Sequence, residues 1–496
     1  MRFLTKKPAQ TEANNAILFM FEDVDSRSEF FNYLNELSDG KLEEQVFKFK
    51  ATKRNFCEIF KIAINENLRV FIVGLGKKEK LTRRKFSQAA SSAARAVKAN
   101  LQGDSIAVEL IDNLEECNSV LANFNKAQCA QILVCALRIG LYEFSRYIST
   151  KKPLIETLEI ICDDITPQIE QAAQIGVYTS YAMKFAKDLI NEPAQIVTPE
   201  YVANLALNIA KEYNLEIKVY NKNEIADMKM NAFLAVSQGS VNEPKFIHLI
   251  YKPKNKTPRK KVALIGKGIT FDAGGMNIKP ASSMLTMKSD MSGAATVLGI
   301  IQAISKLEPD IELHVISALC ENMTSGSAYK QGDILIASNS KSIEVDNTDA
   351  EGRLTLADAL CYADKLGVDE VIDIATLTGA VIVSLGNDIT GVMGNNQKQI
   401  DKFIEISKES CENTWQMPIF EELKDNLKSD IADFKNTGGR NAGTSTAAWF
   451  LSNFTKSNAW MHLDIAGTAY LDKSNKETLS GPTGVMIRTL INYLLN

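Results

Sequence analysis

The stretch V-D-N-T-D-A-E-G-R-L, Val345 to Leu354, gathers Asp346, Asp349, Glu351 and Arg353 with almost no apolar cover. Read as an extended segment, Asp349, Glu351 and Arg353 at i, i+2 and i+4 point to one face. Two carboxylates that close repel, and one is pushed neutral unless a cation lies between them. Arg353 is one candidate cation, which would make the stretch an ordinary surface salt bridge. A divalent metal ion is the other. Asp346 has no place in either scheme and is expected to be structural.

Acids elsewhere favour the metal. Asp272 and Asp290 fall near strand or loop ends of the same expected sheet, with Lys267 and Lys279 close by in the chain. The segment I-G-K-G-I-T-F-D-A-G-G-M-N-I-K-P, Ile265 to Pro280, is glycine-rich but is not a phosphate loop. Gly268 follows Lys267 where Ser or Thr belongs, and Phe271 stands where a dinucleotide fingerprint needs its third glycine. G-L-G-K-K-E, Gly74 to Glu79, fails the same test at Glu79. His248, His314 and His462 are the only histidines, and no H-E-x-x-H is present. All three read as structural. A site rich in carboxylate and poor in histidine suits paired metals that share bridging carboxylates. Lysine becomes a plausible ligand where adjacent cations depress its pKa enough to leave a neutral amine.

These residues need a scaffold, and the apolar pattern supplies an α/β one. Ala16–Phe21, Arg69–Val73, Gln131–Ala136 and Leu158–Cys162 read as strands, with a helix over Arg84–Ala99. Together they outline an N-terminal α/β domain over residues 1–165. Residues 166–192 form a connecting helix, and 193–496 a larger C-terminal domain. There, Thr198 and Pro199 open a helix to residue 213. Strands Glu216–Tyr220, Phe246–Tyr251, Lys261–Ile265, Glu312–Ala318 and Glu370–Ile374 then alternate with helices Ala294–Lys306 and Thr355–Leu366. The fold class expected is α/β with two domains, each a mostly parallel or mixed sheet flanked by helices. Ligands in such sheets collect at the carboxyl ends of strands, where both charged segments lie.

Composition removes other classes. With 496 residues, 45% hydrophobic and 23% charged, the chain can bury a large core without disulfide staples. Its eight cysteines form no C-x-x-C pair and read as small buried apolar residues. A net charge of −4 gives no global basic field for nucleic acid or an anionic membrane. There is no apolar run of membrane-spanning length, and M-R-F-L-T-K-K-P-A-Q lacks the apolar core of a signal peptide. The expected location is cytoplasmic.

The motifs resemble the leucyl aminopeptidase, or cytosol aminopeptidase, family. N-T-D-A-E-G-R-L is identical to that family's signature octapeptide. G-K-G-I-T-F-D-A-G-G, M-K-S-D-M-S-G-A-A and A-T-L-T-G-A follow the family's order, with weaker echoes in K-D-L-I-N-E-P-A, E-N-M-T-S-G-S-A-Y and W-M-H-L-D-I-A-G-T-A. The resemblance implies that Lys267, Asp272, Asp290, Asp349 and Glu351 hold two divalent ions, Mn²⁺ or Zn²⁺, with Asp272 and Glu351 bridging. It implies that Lys279 and Arg353 are catalytic without being ligands, Arg353 holding a bicarbonate that serves as general base. Met287, Thr376, Leu377 and Gly379 match positions lining the site and the pocket for the first side chain. The implied activity is removal of leucine and other apolar residues from peptides with a free N-terminus, by a homohexamer. Ala273 and Gln331 depart from the family's commoner residues, but neither stands at a ligand or catalytic position.

Two other readings compete. Some bacterial members of this family also bind DNA, and K-K-E-K-L-T-R-R-K, Lys77 to Lys85, is locally basic. Such runs more often make a solvated start to a helix, and binding with a steep salt dependence would be needed to revive the idea. A catalytically dead scaffold would have no reason to keep all seven ligand and catalytic residues.

Overall fold

A computed structural model describes residues 2–23, 27–51, 55–111, 114, 121, 124–150, 154–254 and 257–496. The chain divides into two compact units, Met1–Ser180 with Lys473–Ser480, and Tyr181–Asp472 with Gly481–Asn496. Both are α/β.

The first unit holds six strands: β1 Arg2–Lys6, β2 Asn15–Phe21, β3 Ile59–Ala63, β4 Arg69–Gly76, β5 Ser105–Glu109 and β6 Thr157–Ile161. Their order is β1-β6-β5-β2-β4-β3, parallel except for the β3–β4 pair. Every residue of β2 is buried, as expected of a strand covered on both faces. One expectation fails here. Gln131–Ala136 is not a strand but the middle of a helix, Lys126–Gly140. A continuous apolar run satisfies either period, and the flanks decide. Asn125 caps the first turn by accepting from the Gln128 N–H. Cys129, Leu133, Ala136, Leu137 and Gly140 then share a buried face. Within Lys77–Lys85, Thr82 caps the helix Arg83–Ala99, and Arg83 is buried over the Phe124 ring rather than solvated. Six of the cysteines are buried and Cys57 is half-buried, while Cys117 lies outside the described residues.

The second unit is built on β7 Glu216–Tyr220, β8 Lys245–Tyr251, β9 Lys261–Gly266, β10 Gly268–Asp272 and β11 Glu312–Asn322. A hairpin of β12 Ile334–Ile336 and β13 Ser342–Glu344 precedes β14 Glu370–Ala375, β15 Thr390–Gly394 and β16 Thr414–Gln416. The short β17 Phe434–Lys435 lies beside β13, and β18 Trp460–Asp464 returns to the main sheet. That sheet runs β16-β15-β18-β14-β9-β11-β8-β7, with β10 paired to β11. Its centre, β18-β14-β9-β11, is parallel, so these carboxyl ends open on one side.

Two helices cover this centre, Ser292–Leu307 and Gly352–Ala363, and every residue of the second is buried. Arg353, Thr355 and Asp358 are its buried polar residues, and Asp358 is held by backbone donors. Its oxygens accept the Phe233 N–H at 2.9 Å and the Ser338 N–H at 2.8 Å, while burial pushes its carboxyl up to about 6. Asp358→Ala strands the buried Phe233 N–H and the half-buried Ser338 N–H, and is expected to remove about 2–4 kcal/mol of stability. A thermal scan that moved by less than about a degree would show that water replaces the carboxylate there.

Candidate metal centre and cleft

The site is assembled from loops that leave the parallel centre of the sheet. Lys267 follows β9, and its backbone is clamped on both sides: its N–H donates to Ile374 O at 3.0 Å, and its carbonyl accepts the Ala294 N–H at 2.9 Å. Asp272 ends β10. Asp290 closes the short 3₁₀ turn Met287–Ser289 ahead of the helix Ser292–Leu307. Asp349 and Glu351 lie between β13 and the helix Gly352–Ala363.

The 349–353 stretch is not extended. Residues 348–349 form a turn, and Glu351 already has helical backbone angles as the N-cap of its helix. The two acids still converge, because the turn swings them toward the two lysines. Nor is Arg353 their counter-ion. It is buried, donates from Nη1 to Asn436 O at 2.7 Å, and has no carboxylate within 4 Å among the described residues; its Nε has no partner.

Lys267 Nζ sits 2.8 Å from Asp290 Oδ1 and 2.9 Å from Glu351 Oε1, and donates to Thr376 O at 2.9 Å. Lys279 Nζ sits 2.8 Å from Asp272 Oδ2 and 2.6 Å from Asp349 Oδ1. Burial works against the charge on both lysines, yet their carboxylate neighbours outweigh it and hold both above the ordinary lysine range. Burial pushes the Asp272 carboxyl up to about 6, and raises Asp290 well above its usual range. Glu351 is held low, because Lys267 and Lys279 overcome the same burial.

Four carboxylates thus face two ammonium groups, a buried excess of negative charge that calls for a further cation. Oxygens of Asp272, Asp290 and Glu351 all lie within 4.8 Å of one another. Asp290 Oδ2 and Glu351 Oε2 are buried with no hydrogen-bond partner. Native proteins rarely leave carboxylate oxygens so, and a metal ion is the usual reason. The donor set fits hard or borderline divalent ions.

Residues outside the sequence reading hold these acids in place. Asn322, at the end of β11, donates from Nδ2 to Asp272 Oδ1 at 2.8 Å and to Thr348 O at 3.0 Å, tying the Asp272 and Asp349 loops together. Its E-N-M-T-S-G motif was the available signal. Thr376 sits with the acid cluster and not on the cavity wall: its hydroxyl donates to Asp290 Oδ1 at 2.7 Å. Asp464 accepts the Leu377 N–H and the Thr378 hydroxyl, fixing the turn after β14. Asn436 accepts the Asp346 N–H, and Asp346 itself accepts the Thr437 hydroxyl at 2.6 Å, a structural role. The histidines are structural too: His248 bonds His314 at 2.9 Å, and His462 is buried against Asp373.

Gly274 and Gly352 show how tight the packing is. Gly274 has φ of +88°, and a Cβ there would come within 2.9 Å of Asp349 Oδ1. At Gly352 a Cβ would meet Lys267 Cε at 2.4 Å and Nζ at 2.6 Å. Gly352→Ala therefore displaces Lys267 without disturbing the helix backbone. Activity is expected to fall roughly 100-fold, as a misplacement of about 1 Å can cost that much, with the circular dichroism spectrum retained. Wild-type rates in that variant would place Lys267 outside the working site.

A cavity of about 800 Å³ opens beside the centre, lined by Asp349, Arg353, Leu377 and Gly379 among others. Met287, half-buried in its 3₁₀ turn, and Thr376 are not on its walls. The cytosol aminopeptidase family's catalytic domain matches residues 184–491, and its N-terminal domain residues 17–151. The chain belongs to this family. Cytosol aminopeptidases are hydrolases and metal-dependent, which agrees with the carboxylate cluster. A probable cytosol aminopeptidase of Nostoc punctiforme is 42% identical over 487 residues, 96% of this chain and 95% of that one. Leucine aminopeptidase 2, chloroplastic, of Arabidopsis thaliana is 42% identical over 86% of this chain and 73% of its own. Among solved structures, a tomato leucine aminopeptidase mutant superposes with a TM-score of 0.87 at 33% identity, covering 99% and 96% of the two chains. Bottromycin maturation enzyme BotP in complex with Mn gives 0.85 at 28% identity, covering 97% and 99%. Among the described residues, no helix is long and apolar enough to cross a membrane.

Proposed function

We propose that this aminopeptidase removes leucine and other apolar N-terminal residues from peptides, using two divalent ions, Mn²⁺ or Zn²⁺. Lys267, Asp272, Asp290, Asp349 and Glu351 would hold them, with Asp272 and Glu351 shared. The observation that carries this is the convergence of three buried carboxylates with Asp290 Oδ2 and Glu351 Oε2 left unpartnered. When bound, such ions supply Lewis acidity that brings the pKa of water toward neutrality.

The chain's own residues do the rest. Lys267 would have to be a neutral amine to serve as a ligand, and its present ion pairs with Asp290 and Glu351 hold it protonated. Lys279, kept protonated between Asp272 and Asp349, donates to the oxyanion as the carbonyl becomes tetrahedral. Arg353 lines the cavity, its buried Nε has no partner, and it would hold a bicarbonate, which would supply a general base beside the reacting water. Leu377 and Gly379 wall the first side chain's space, and Met287 and Thr376 would act from outside that wall. A homohexamer working in the cytoplasm completes the reading; sedimentation at working concentration reads its size.

The decisive assay is leucine release from leucinamide with Mn²⁺ present and after chelation, beside N-acetyl-leucinamide. Chelation is expected to abolish release and metal to restore it, with the blocked substrate untouched. Activity surviving chelation, or equal cleavage of the blocked substrate, would overturn the reading.

A further inference from the structure

Thr348 is fully buried between the two loops that carry Asp272 and Asp349, and three of its atoms are committed to hydrogen bonds. Its N–H donates to Asn277 Oδ1 at 2.8 Å, and its hydroxyl oxygen accepts the Asn277 N–H at 2.8 Å. The hydroxyl proton goes to Gly274 O at 2.7 Å, the nearer acceptor, with Asn277 Oδ1 at 3.0 Å. Its carbonyl accepts from Tyr329 Oη at 2.7 Å and from Asn322 Nδ2 at 3.0 Å, both on buried side chains. Thr348 thus grips the 273–279 loop at Gly274 and Asn277, while Asn322 and Tyr329 hold Thr348 itself.

That loop ends on Lys279. The Lys279 N–H donates to Ala273 O at 3.0 Å, which closes the loop on itself. Thr324 also reaches it, through Gly275 O, but among the described residues Thr348 alone bonds Asn277, two positions from Lys279. The ammonium group is held separately, by Asp272 Oδ2 at 2.8 Å and Asp349 Oδ1 at 2.6 Å. Those two acids are the ones assigned above to the metal, so bound ions compete for the oxygens that fix Lys279 Nζ here. The bonds made by Thr348 use no carboxylate and face no such competition.

We infer that Thr348 is a positioning residue for Lys279, keeping its ammonium group directed at the reacting carbonyl once Asp272 and Asp349 are bound to metal. This rests on the aminopeptidase reading and adds to it what holds Lys279 in the loaded enzyme. An oxyanion donor works only at hydrogen-bond distance, so a slack loop costs turnover before it costs binding.

The test uses the Mn²⁺-loaded enzyme with leucinamide and three variants, Thr348→Val, Thr348→Ser and Asn277→Ala. Valine keeps the shape of threonine and removes the hydroxyl bonds, whereas serine keeps the hydroxyl. Asn277 is half-buried, and its replacement carries the same test should valine destabilise the protein. In Thr348→Val, kcat is expected to fall roughly 10- to 100-fold, with KM within a few-fold and metal content unchanged. Asn277→Ala is expected to lose about fivefold or more, and Thr348→Ser to stay within about threefold of wild type. Because Thr348 acts through Lys279, Thr348→Val added to Lys279→Ala is expected to slow it by no more than about twofold. Losses that multiply, a Thr348→Val enzyme within twofold of wild type, or a loss explained by missing metal overturn the inference. A second readout needs no turnover: acetylation of Lys279 by N-hydroxysuccinimidyl acetate, followed by peptide mass spectrometry. With Mn²⁺ bound it is expected to run several-fold faster in Thr348→Val than in wild type, and equal rates also overturn the inference. A wild type that releases no leucine sinks the aminopeptidase reading instead, and the acetylation rates then test the link from Thr348 to Lys279 alone.

Discussion

Glu351→Gln is expected to lose activity by a factor on the order of 10²–10³ or more while keeping its fold. Glutamine is isosteric, so the helix start at Gly352 and the packing of the buried helix behind it are undisturbed. What changes is charge. Glu351 Oε1 lies 2.9 Å from Lys267 Nζ, and Oε2 is buried with no partner. The amide removes one of the two carboxylates on Lys267, but Asp290 remains at 2.8 Å, so no cation is stranded. Because the site carries an excess of negative charge, losing one charge relieves repulsion among Asp272, Asp290 and Glu351. Stability is therefore expected to change little, and bound metal, read by elemental analysis after gel filtration, to fall with activity. Full activity would sink the two-metal assignment.

Lys279→Ala separates the two lysines. Lys279 Nζ bridges Asp272 Oδ2 and Asp349 Oδ1, and deleting it leaves those acids more negative. A site with more negative charge binds divalent cations at least as well, so metal content is expected to hold. The loss falls instead on kcat, by roughly 10²–10³, the usual cost of removing one oxyanion donor, with KM within a few-fold of wild type. Loss of metal with normal turnover once metal is restored would mean that Lys279 and Lys267 have been given each other's roles.

Much of the scaffold was legible because periodicity and caps agreed. The strands β2, β4, β9 and β14 stand where their apolar runs placed them, and Thr198 caps its helix through the Tyr201 N–H as its neighbours implied. Gln131–Ala136 was misread because a fully buried helix and a fully buried strand present the same uninterrupted apolar run. The stretch 349–353 was misread for a different reason. Period-two spacing of its acids mimicked a strand, whereas the backbone turns at 348–349 and enters the helix. The acids still converge on Lys267 and Lys279, because the turn brings them there in place of a shared strand face.

Residue types and motif order determined the family, the α/β class and the set of acids and lysines able to hold metal. Those properties are local: they depend on which side chain follows which strand. Tertiary structure alone decided which lysine pairs with which acids, that Arg353 turns from Glu351 to Asn436, and that Asn322 ties Asp272 to the Thr348 loop. It also set Arg440 on the cavity wall beside residues some 90 positions earlier in the chain. These partners meet only when the parallel strands stack their carboxyl ends together, and sequence spacing carries no record of contacts across a sheet.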